Sequence, residues 1–142
     1  MHPPSMKPPP FEYEDPATVD DVLALLAEHG EGAKVLAGGQ SLVPLLNFRL
    51  AAPDRLIDLG RVAELQACAP EDGGLRIGAM VRHRALEREG MVGERAPLLG
   101  LVAPHIGHPQ IRTRGTLGGS LAHADPAAEL PAAVVALDGE IE

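Results

Sequence analysis

Aromatic residues are nearly absent from this sequence, which has two Phe, one Tyr and no Trp in 142 residues. The hydrophobic fraction is nevertheless 45%, a normal value for a globular protein. The core must therefore be built from Leu, Val, Ile and Ala, and a flat ligand would meet mainly aliphatic side chains and backbone. A chain of this length suffices for one modest domain, or for part of a larger one.

Cysteine and positive charge are also scarce. Cys68 is the only cysteine, which excludes an internal disulfide and a self-contained iron–sulfur cluster, because such a cluster needs four ligands. The formal net charge of −8, with twelve Lys and Arg residues, has the wrong sign for an electrostatic nucleic-acid binder. Redox chemistry would therefore need an organic cofactor or a partner's metal.

Long apolar runs are missing as well. No run approaches the roughly 18 apolar residues of a membrane span, and the first five residues lack the basic and apolar regions of a signal peptide. We therefore expect a cytoplasmic protein without a membrane span. Residues 1–10 contain five prolines and are expected to form an extended, disordered N-terminus.

Two glycine pairs stand out among the residues that are present. Gly38-Gly39 and Gly118-Gly119 lie about eighty residues apart, and each is flanked by apolar residues and a hydroxyl. A glycine pair allows successive N–H groups to point at one anion. Neither pair belongs to the G-x-G-x-x-G or G-x-x-x-x-G-K-[ST] nucleotide motifs. Local pattern alone leaves open whether each pair binds an anion or is an ordinary tight turn.

Strands and a helix are predicted around the first glycine pair. Residues 11–14 alternate as a strand, Thr18 is expected to cap a helix that ends near Gly30, and residues 33–37 form a buried strand. A short helix or turn is expected over 42–50, and a further strand over 55–59. A strand–helix–strand unit with a glycine loop after its second strand is a common ligand site.

The second glycine pair is predicted to lie in a loop. A strand over 74–79 and a helix over 85–89 precede it, and residues 93–108 are expected to be helical in part, interrupted by two prolines. After the loop, Asp125 is predicted to cap a helix over 132–137, with Glu129 near the capping-box spacing. Residues 140–142 are expected to begin a strand.

Several polar residues are candidates for a functional site. His83, His105, His108, His123 and Asp125 are potential metal ligands, but Gly107 and Pro109 argue against a regular helix that would aim two of them at one ion. Scattered polar or capping histidines are the better interpretation. Arg112 and Arg114 are interpreted as solvated charges or as contacts to a partner. Cys68 is interpreted as a small packing residue.

Three segments resemble one known family. They are AGGQSL at 37–42, IGHPQIR at 106–112 and RGTLGGSLAHADPAAELP at 114–131. They closely resemble the FAD-binding medium subunit of molybdenum hydroxylases, the relatives of carbon monoxide dehydrogenase and xanthine dehydrogenase. The resemblance covers essentially all of residues 6–142.

The resemblance implies an α+β fold of the vanillyl-alcohol-oxidase (PCMH) type, with the cofactor between two small α+β subdomains. Residues 11–58 would form the first FAD subdomain and residues 59–142 the second. The family's subunits are much longer than this chain, so the expectation is that the C-terminal part is truncated. An open sheet edge would then be left.

The resemblance also implies FAD as the cofactor, with its diphosphate held by both glycine segments. The implied cofactor-binding residues are Val35, Leu36, Ala37, Gly38, Gly39, Gln40, Ser41, Leu42, Ile106, Thr116, Leu117, Gly118, Gly119, Ser120, Asp125 and Glu129. Ile106 would pack near the flavin, and Glu129 would contact a sugar or ribityl hydroxyl. Asp125 and Glu129 are equally explained as helix-capping residues that need no ligand. No catalytic acid, base, nucleophile or metal ligand is implied.

The family's function depends on its partners. A large molybdopterin subunit oxidises the substrate, a small iron–sulfur subunit carries two [2Fe–2S] clusters, and the FAD subunit passes electrons to an external acceptor. The complex is expected to be a dimer of heterotrimers. The single cysteine agrees with clusters that lie elsewhere. The alternative is a truncated, non-catalytic fragment or subunit-interaction module that binds FAD weakly or not at all.

Overall fold

The computed structural model of the protein describes residues 6–142, and it is an α+β structure. Its strands are β1 (Glu12–Glu14), β2 (Ala33–Leu36), β3 (Arg55–Asp58), β4 (Cys68–Glu71) and β5 (Gly74–Ile77). Its α-helices are α1 (Val19–His29), α2 (Leu42–Asn47), α3 (His83–Arg88), α4 (Gly90–Arg95), α5 (Pro97–Val102), α6 (Pro109–Arg112), α7 (Leu117–His123) and α8 (Glu129–Ala136). Of the predicted disordered N-terminus, residues 6–10 contain no helix or strand. Residues 1–5 lie outside the described part.

The first half is a three-stranded parallel sheet with β3 in the centre. The predicted strand–helix–strand unit is confirmed as β1–α1–β2. The Thr18 hydroxyl caps α1 by accepting a hydrogen bond of 3.1 Å from the Asp21 N–H, and Gly30 ends the helix at a φ of 52°. Leu36 and Asp58 are register partners at the carboxyl ends of β2 and β3, so both strands deliver their following residues to the same edge.

The second half consists of an antiparallel hairpin, β4–β5, followed by short helices. The predicted interruptions are confirmed, because Pro97 is the first residue of α5 and Pro104 lies in a 3-10 turn. Strand β4 was not predicted. It contains Pro70, and proline in a strand is tolerated at an edge but weakens the sequence signal.

Two separate aliphatic cores are present, one packed on the parallel sheet and one among the later helices. The first contains Val22, Ala33, Ile57 and Val62, and the second is centred on Leu86, Val92, Leu99, Leu117 and Leu130. The three aromatic side chains, Phe11, Tyr13 and Phe48, are all at least 37% exposed. The expectation of a core made from Leu, Val, Ile and Ala is therefore confirmed.

Two predictions near the C-terminus are wrong. Helix α8 begins at Glu129 with Ala128 at its N-cap, whereas Asp125 closes a preceding turn by accepting a 2.9 Å hydrogen bond from the Ala127 N–H. A short turn competes well with a helix cap because an Asp side chain bonds the backbone two residues later. Residues 140–142 are exposed and form no strand; Glu142 contacts strand β5 only through its side chain, which accepts a 2.5 Å hydrogen bond from Arg76.

None of the helices in residues 6–142 is both long enough and apolar enough to traverse a bilayer.

Candidate functional site

The first glycine segment is a tight loop between β2 and α2. Gly39 adopts a φ of 72°, which is the left-handed conformation that glycine reaches without strain. The Gly39 carbonyl accepts a 3.1 Å hydrogen bond from the Val43 N–H, and the Gln40 side-chain amide donates to the Gly38 carbonyl at 3.1 Å. The loop is thus fixed through its carbonyl groups.

The N–H groups of this loop, in contrast, are available. Those of the four residues from Gly38 to Ser41 donate no hydrogen bond to any group within residues 6–142. The loop borders an open cavity of about 400 Å³. The residues lining the cavity are Leu36, Ala37, Gly38, Gly39, Gln40, Val43, Pro44, Asp58 and Arg114. Consecutive unpaired N–H groups beside a cavity form a site for an anion such as a phosphate.

Two charged residues of opposite sign line this cavity. The Asp58 carboxylate accepts hydrogen bonds from the Tyr13 hydroxyl at 2.6 Å and from the Gly60 N–H at 2.7 Å. Its bond to Tyr13 is the main cause that raises the pKa of that phenol to about 12. Arg114 is exposed, and its guanidinium makes no ion pair or hydrogen bond with the described residues. The negative charge is therefore bonded internally, while the positive charge is available.

The second glycine segment is the first turn of helix α7, so the prediction of a loop here is wrong. Thr116 is the N-cap, and its hydroxyl accepts a 3.0 Å hydrogen bond from the Gly119 N–H. The N–H groups of Leu117 and Gly118 donate to the carbonyls of Val81 and Ala79, at 2.9 and 2.8 Å. The Ser120 N–H donates to Thr116 at 3.1 Å. These four N–H groups are used within the protein, unlike those of the first loop.

The two glycine segments pack directly against each other. A Cβ atom on Gly38 would lie 2.8 Å from the Gly115 Cα and would overlap the Arg114 carbonyl. A Cβ atom on Gly119 would lie 3.3 Å from the Ala37 Cβ and 2.7 Å from the Thr116 Oγ1. Both glycines are thus needed for this close approach, and the two segments lie side by side.

Residues 79–83 hold the second segment, and sequence reasoning missed them. Arg82 and Thr116 form an antiparallel β-bridge, and the Arg82 guanidinium donates to the Arg114 carbonyl. The His83 N–H donates to the Gly115 carbonyl at 2.9 Å. This pairing is too short to leave a periodic pattern in the sequence, so no local signal indicates it.

Ile106 lies between a 3-10 turn and α6, packed against the second core. Its carbonyl accepts a 3.0 Å hydrogen bond from Arg112, whose Nε is bonded to the Glu87 carboxylate. The Arg112 side chain is only 11% exposed. The interpretation of Arg112 as a solvated charge is therefore wrong, because it joins the Ile106 turn to helix α3.

The remaining predicted residues lie outside the cavity wall. Asp125 is exposed in its turn, and Glu129 is half-buried as the first residue of α8. Val35, Ser41, Leu42, Ile106 and the segment 116–120 do not line the cavity either. The cavity thus contains five of the predicted residues, those from Leu36 to Gln40. Asp58 could have been found from its place at the carboxyl end of a parallel strand, where ligands commonly bind.

The histidines and the cysteine form no evident reactive centre in the described residues. Within residues 6–142, no three His, Cys, Asp or Glu side chains are grouped as metal ligands would be. His105 and His108 are exposed, and His83 is buried. Burial, with a smaller effect from Glu89, raises the pKa of the Cys68 thiol, which disfavours the reactive thiolate.

Together these features define an α+β domain that offers backbone donors to an anionic cofactor at the carboxyl edge of a parallel sheet. The profile of the FAD-binding domain in molybdopterin dehydrogenase matches residues 9–142. The chain belongs to this family. The free N–H groups and the adjacent cavity fit the diphosphate of FAD, which is the part of that cofactor that needs anion-binding donors.

Two curated relatives illustrate the family. The chain is 50% identical to the 6-hydroxypseudooxynicotine dehydrogenase complex subunit alpha of Paenarthrobacter nicotinovorans, over 96% of this chain and 46% of that protein. It is 43% identical to the carbon monoxide dehydrogenase medium chain of Hydrogenophaga pseudoflava, over 94% of this chain and 46% of that protein. The chain spans about half the length of the curated relatives it matches.

Solved structures agree with the assignment of the fold. A chain of carbon monoxide dehydrogenase from Hydrogenophaga pseudoflava matches with a TM-score of 0.86 and 45% identity, over 88% of this chain and 44% of that one. A chain of quinoline 2-oxidoreductase from Pseudomonas putida 86 matches with a TM-score of 0.85 and 46% identity, over the same fractions. The predicted α+β fold and family are therefore confirmed.

Proposed function

We propose that this chain is the FAD-binding part of the medium subunit of a molybdenum-cofactor dehydrogenase. In this role it accepts electrons from the [2Fe–2S] clusters of a small partner subunit and passes them to an external acceptor. The large subunit carries the molybdenum cofactor and recognises the substrate. Membership of the family and the similarity to subunits of dehydrogenase complexes support this proposal.

The observation that carries the proposal is the set of free N–H groups from Gly38 to Ser41 beside the cavity. Neutral backbone N–H groups donate hydrogen bonds to the FAD diphosphate, and Arg114 adds a positive charge to the same wall. The second glycine segment packs against the first loop through the contacts of Gly38 and Gly119. Bound FAD supplies the redox chemistry, and the protein binds and orients it.

The other implied roles are part of the same proposal. Ile106 is placed near the flavin ring, and Asp125 and Glu129 near its sugar or ribityl hydroxyls. The first FAD subdomain spans 11–58 and the second spans 59–142. The complex is cytoplasmic and assembles as a dimer of heterotrimers. The two separate aliphatic cores support a division into two subdomains.

A flavin titration of the purified chain tests the proposal. Addition of FAD should quench the flavin fluorescence and shift its visible spectrum, with saturation at tens of micromolar or below. Riboflavin, which lacks the diphosphate, is the matched control and should bind far more weakly. Absence of FAD binding at tens of micromolar would contradict the proposal and would favour an interaction module that keeps the fold without the cofactor.

A further inference from the structure

We propose that His83 is a positioning residue for the second glycine segment. Its imidazole, as the Nε2–H tautomer, holds the Thr116 carbonyl and so fixes the first turn of α7 against the first glycine loop. The consequence for FAD rests on the function proposed above, whereas the consequence for the α7 turn does not. From the sequence, this histidine is interpreted only as a scattered polar or capping residue.

His83 contacts the segment before α7 in three ways. Its backbone N–H donates to the Gly115 carbonyl at 2.9 Å, and its Nε2 lies 2.8 Å from the Thr116 carbonyl oxygen. Its ring packs closely against Gly115, because a Cβ atom on that glycine would be 2.7 Å from both Cε1 and Nδ1. The side chain is 5% exposed. A buried polar ring with this much contact to one turn fixes where that turn lies.

The Thr116 carbonyl determines the tautomer. A carbonyl oxygen only accepts, so Nε2 must carry the proton and Nδ1 is left as an acceptor. Nδ1 is buried and has no hydrogen-bond partner in the described residues. Protonation would therefore bury an N–H group without an acceptor, and the ring remains neutral. Burial lowers the pKa of His83, and so do the nearby charges of Arg112 and Arg82, while the bond to Thr116 and the charge of Glu129 raise it.

The position of Thr116 affects both glycine segments through hydrogen bonds and packing. Its carbonyl also accepts from the Ser120 N–H, and its hydroxyl accepts from the Gly119 N–H at 3.0 Å. Gly119 lies in turn against Ala37 of the first loop. A shift of the Thr116 carbonyl would therefore move the helix cap and then the surface on which the FAD-binding loop rests.

Two substitutions of His83 distinguish the effect of its N–H donor from the effect of the volume of its ring. His83→Gln keeps an N–H donor near the Nε2 position, and His83→Leu fills the space without a donor. His105→Leu is the matched control, because His105 is exposed. Amide hydrogen exchange of Leu117 to Ser120 and FAD affinity are measured for the parent chain and the three variants. The ¹⁵N chemical shifts of the His83 ring are measured in the parent chain.

We expect faster amide exchange and weaker FAD binding only in the variant that lacks the hydrogen-bond donor at position 83. His83→Leu should speed exchange of the α7 amides about tenfold and raise the FAD Kd about five- to tenfold, as loss of one buried hydrogen bond predicts. His83→Gln should stay within about threefold of the parent chain, and His105→Leu should match it. The ring shifts should show a protonated Nε2 and an unprotonated Nδ1.

Three outcomes would overturn the inference. They are an unchanged His83→Leu protein, equal damage by His83→Gln and His83→Leu, and an Nδ1–H tautomer. The ring shifts need only the parent chain, so the test survives if a variant fails to fold. If the parent chain does not bind FAD, the proposed function fails, while exchange and ring shifts still decide the role of His83.

Discussion

Arg114 is the one cation in the wall of the cavity beside the first glycine loop, and its charge is not neutralised by an acidic partner among the described residues. Replacement by Gln keeps a polar side chain and removes the charge. We expect Arg114→Gln to raise the Kd for FAD about three- to tenfold, a modest effect because the side chain is exposed and water screens it. The increase in Kd caused by added salt should also become smaller. Isothermal titration calorimetry at two salt concentrations measures both quantities.

Arg88→Gln is the matched control for Arg114→Gln. Arg88 is exposed at the end of α3 and does not line the cavity, so the same change of net charge should leave FAD affinity unaltered. Equal effects of the two substitutions would mean that only the overall charge of the acidic protein matters. No effect of either would exclude Arg114 from the diphosphate site.

At the level of the elements, the sequence predicts best where the signal is local. The sequence predicts helix α1 because its cap, Thr18, and its terminating glycine, Gly30, are adjacent to it in sequence. The first glycine loop was located because it directly follows a strand. The helical start at Thr116 was missed, since the turn is fixed by contacts with residues 79–83, more than thirty positions earlier. Contacts of that kind are tertiary and leave no local pattern.

Gly118 shows how such a tertiary contact overrides helix propensity. It lies in the first turn of α7, and a Cβ atom there would be 2.5 Å from the Ala79 Cβ and 2.8 Å from its carbonyl oxygen. Gly118→Ala should therefore lower the free energy of unfolding by about 1–3 kcal/mol, the usual cost of overpacking. Urea denaturation followed by circular dichroism measures the change.

The chain offers an opposite case for comparison. Gly93 lies in α4, and a Cβ atom on it would meet nothing within 4 Å. Gly93→Ala should raise the free energy of unfolding by about 0.5–1 kcal/mol, because Ala is the better helix former. If both substitutions stabilise the protein, the close approach of α7 to Ala79 is not maintained in solution.

At the level of the whole molecule, the composition predicts that the core is aliphatic but does not predict that it is divided into two clusters. The scarcity of aromatic residues indicates an aliphatic interior, and two such interiors are present in the described residues. The first core includes Val62 and extends to Leu65, beyond the strand that ends at Asp58. The division at residue 58 remains a prediction, because sequence alone does not reveal which apolar residues pack together.

Truncation of a buried side chain in one core should destabilise mainly the elements that pack around that core. Ile57 in the first core and Leu130 in the second are both fully buried, and truncation of either to Ala should cost about 2–5 kcal/mol. We expect Ile57→Ala to speed amide exchange mainly in β1–β3 and α1, and Leu130→Ala mainly in α3–α8, because local opening follows packed clusters. Uniform loss of protection in both variants would show one cooperative unit, and the proposed pair of subdomains would then have to be abandoned.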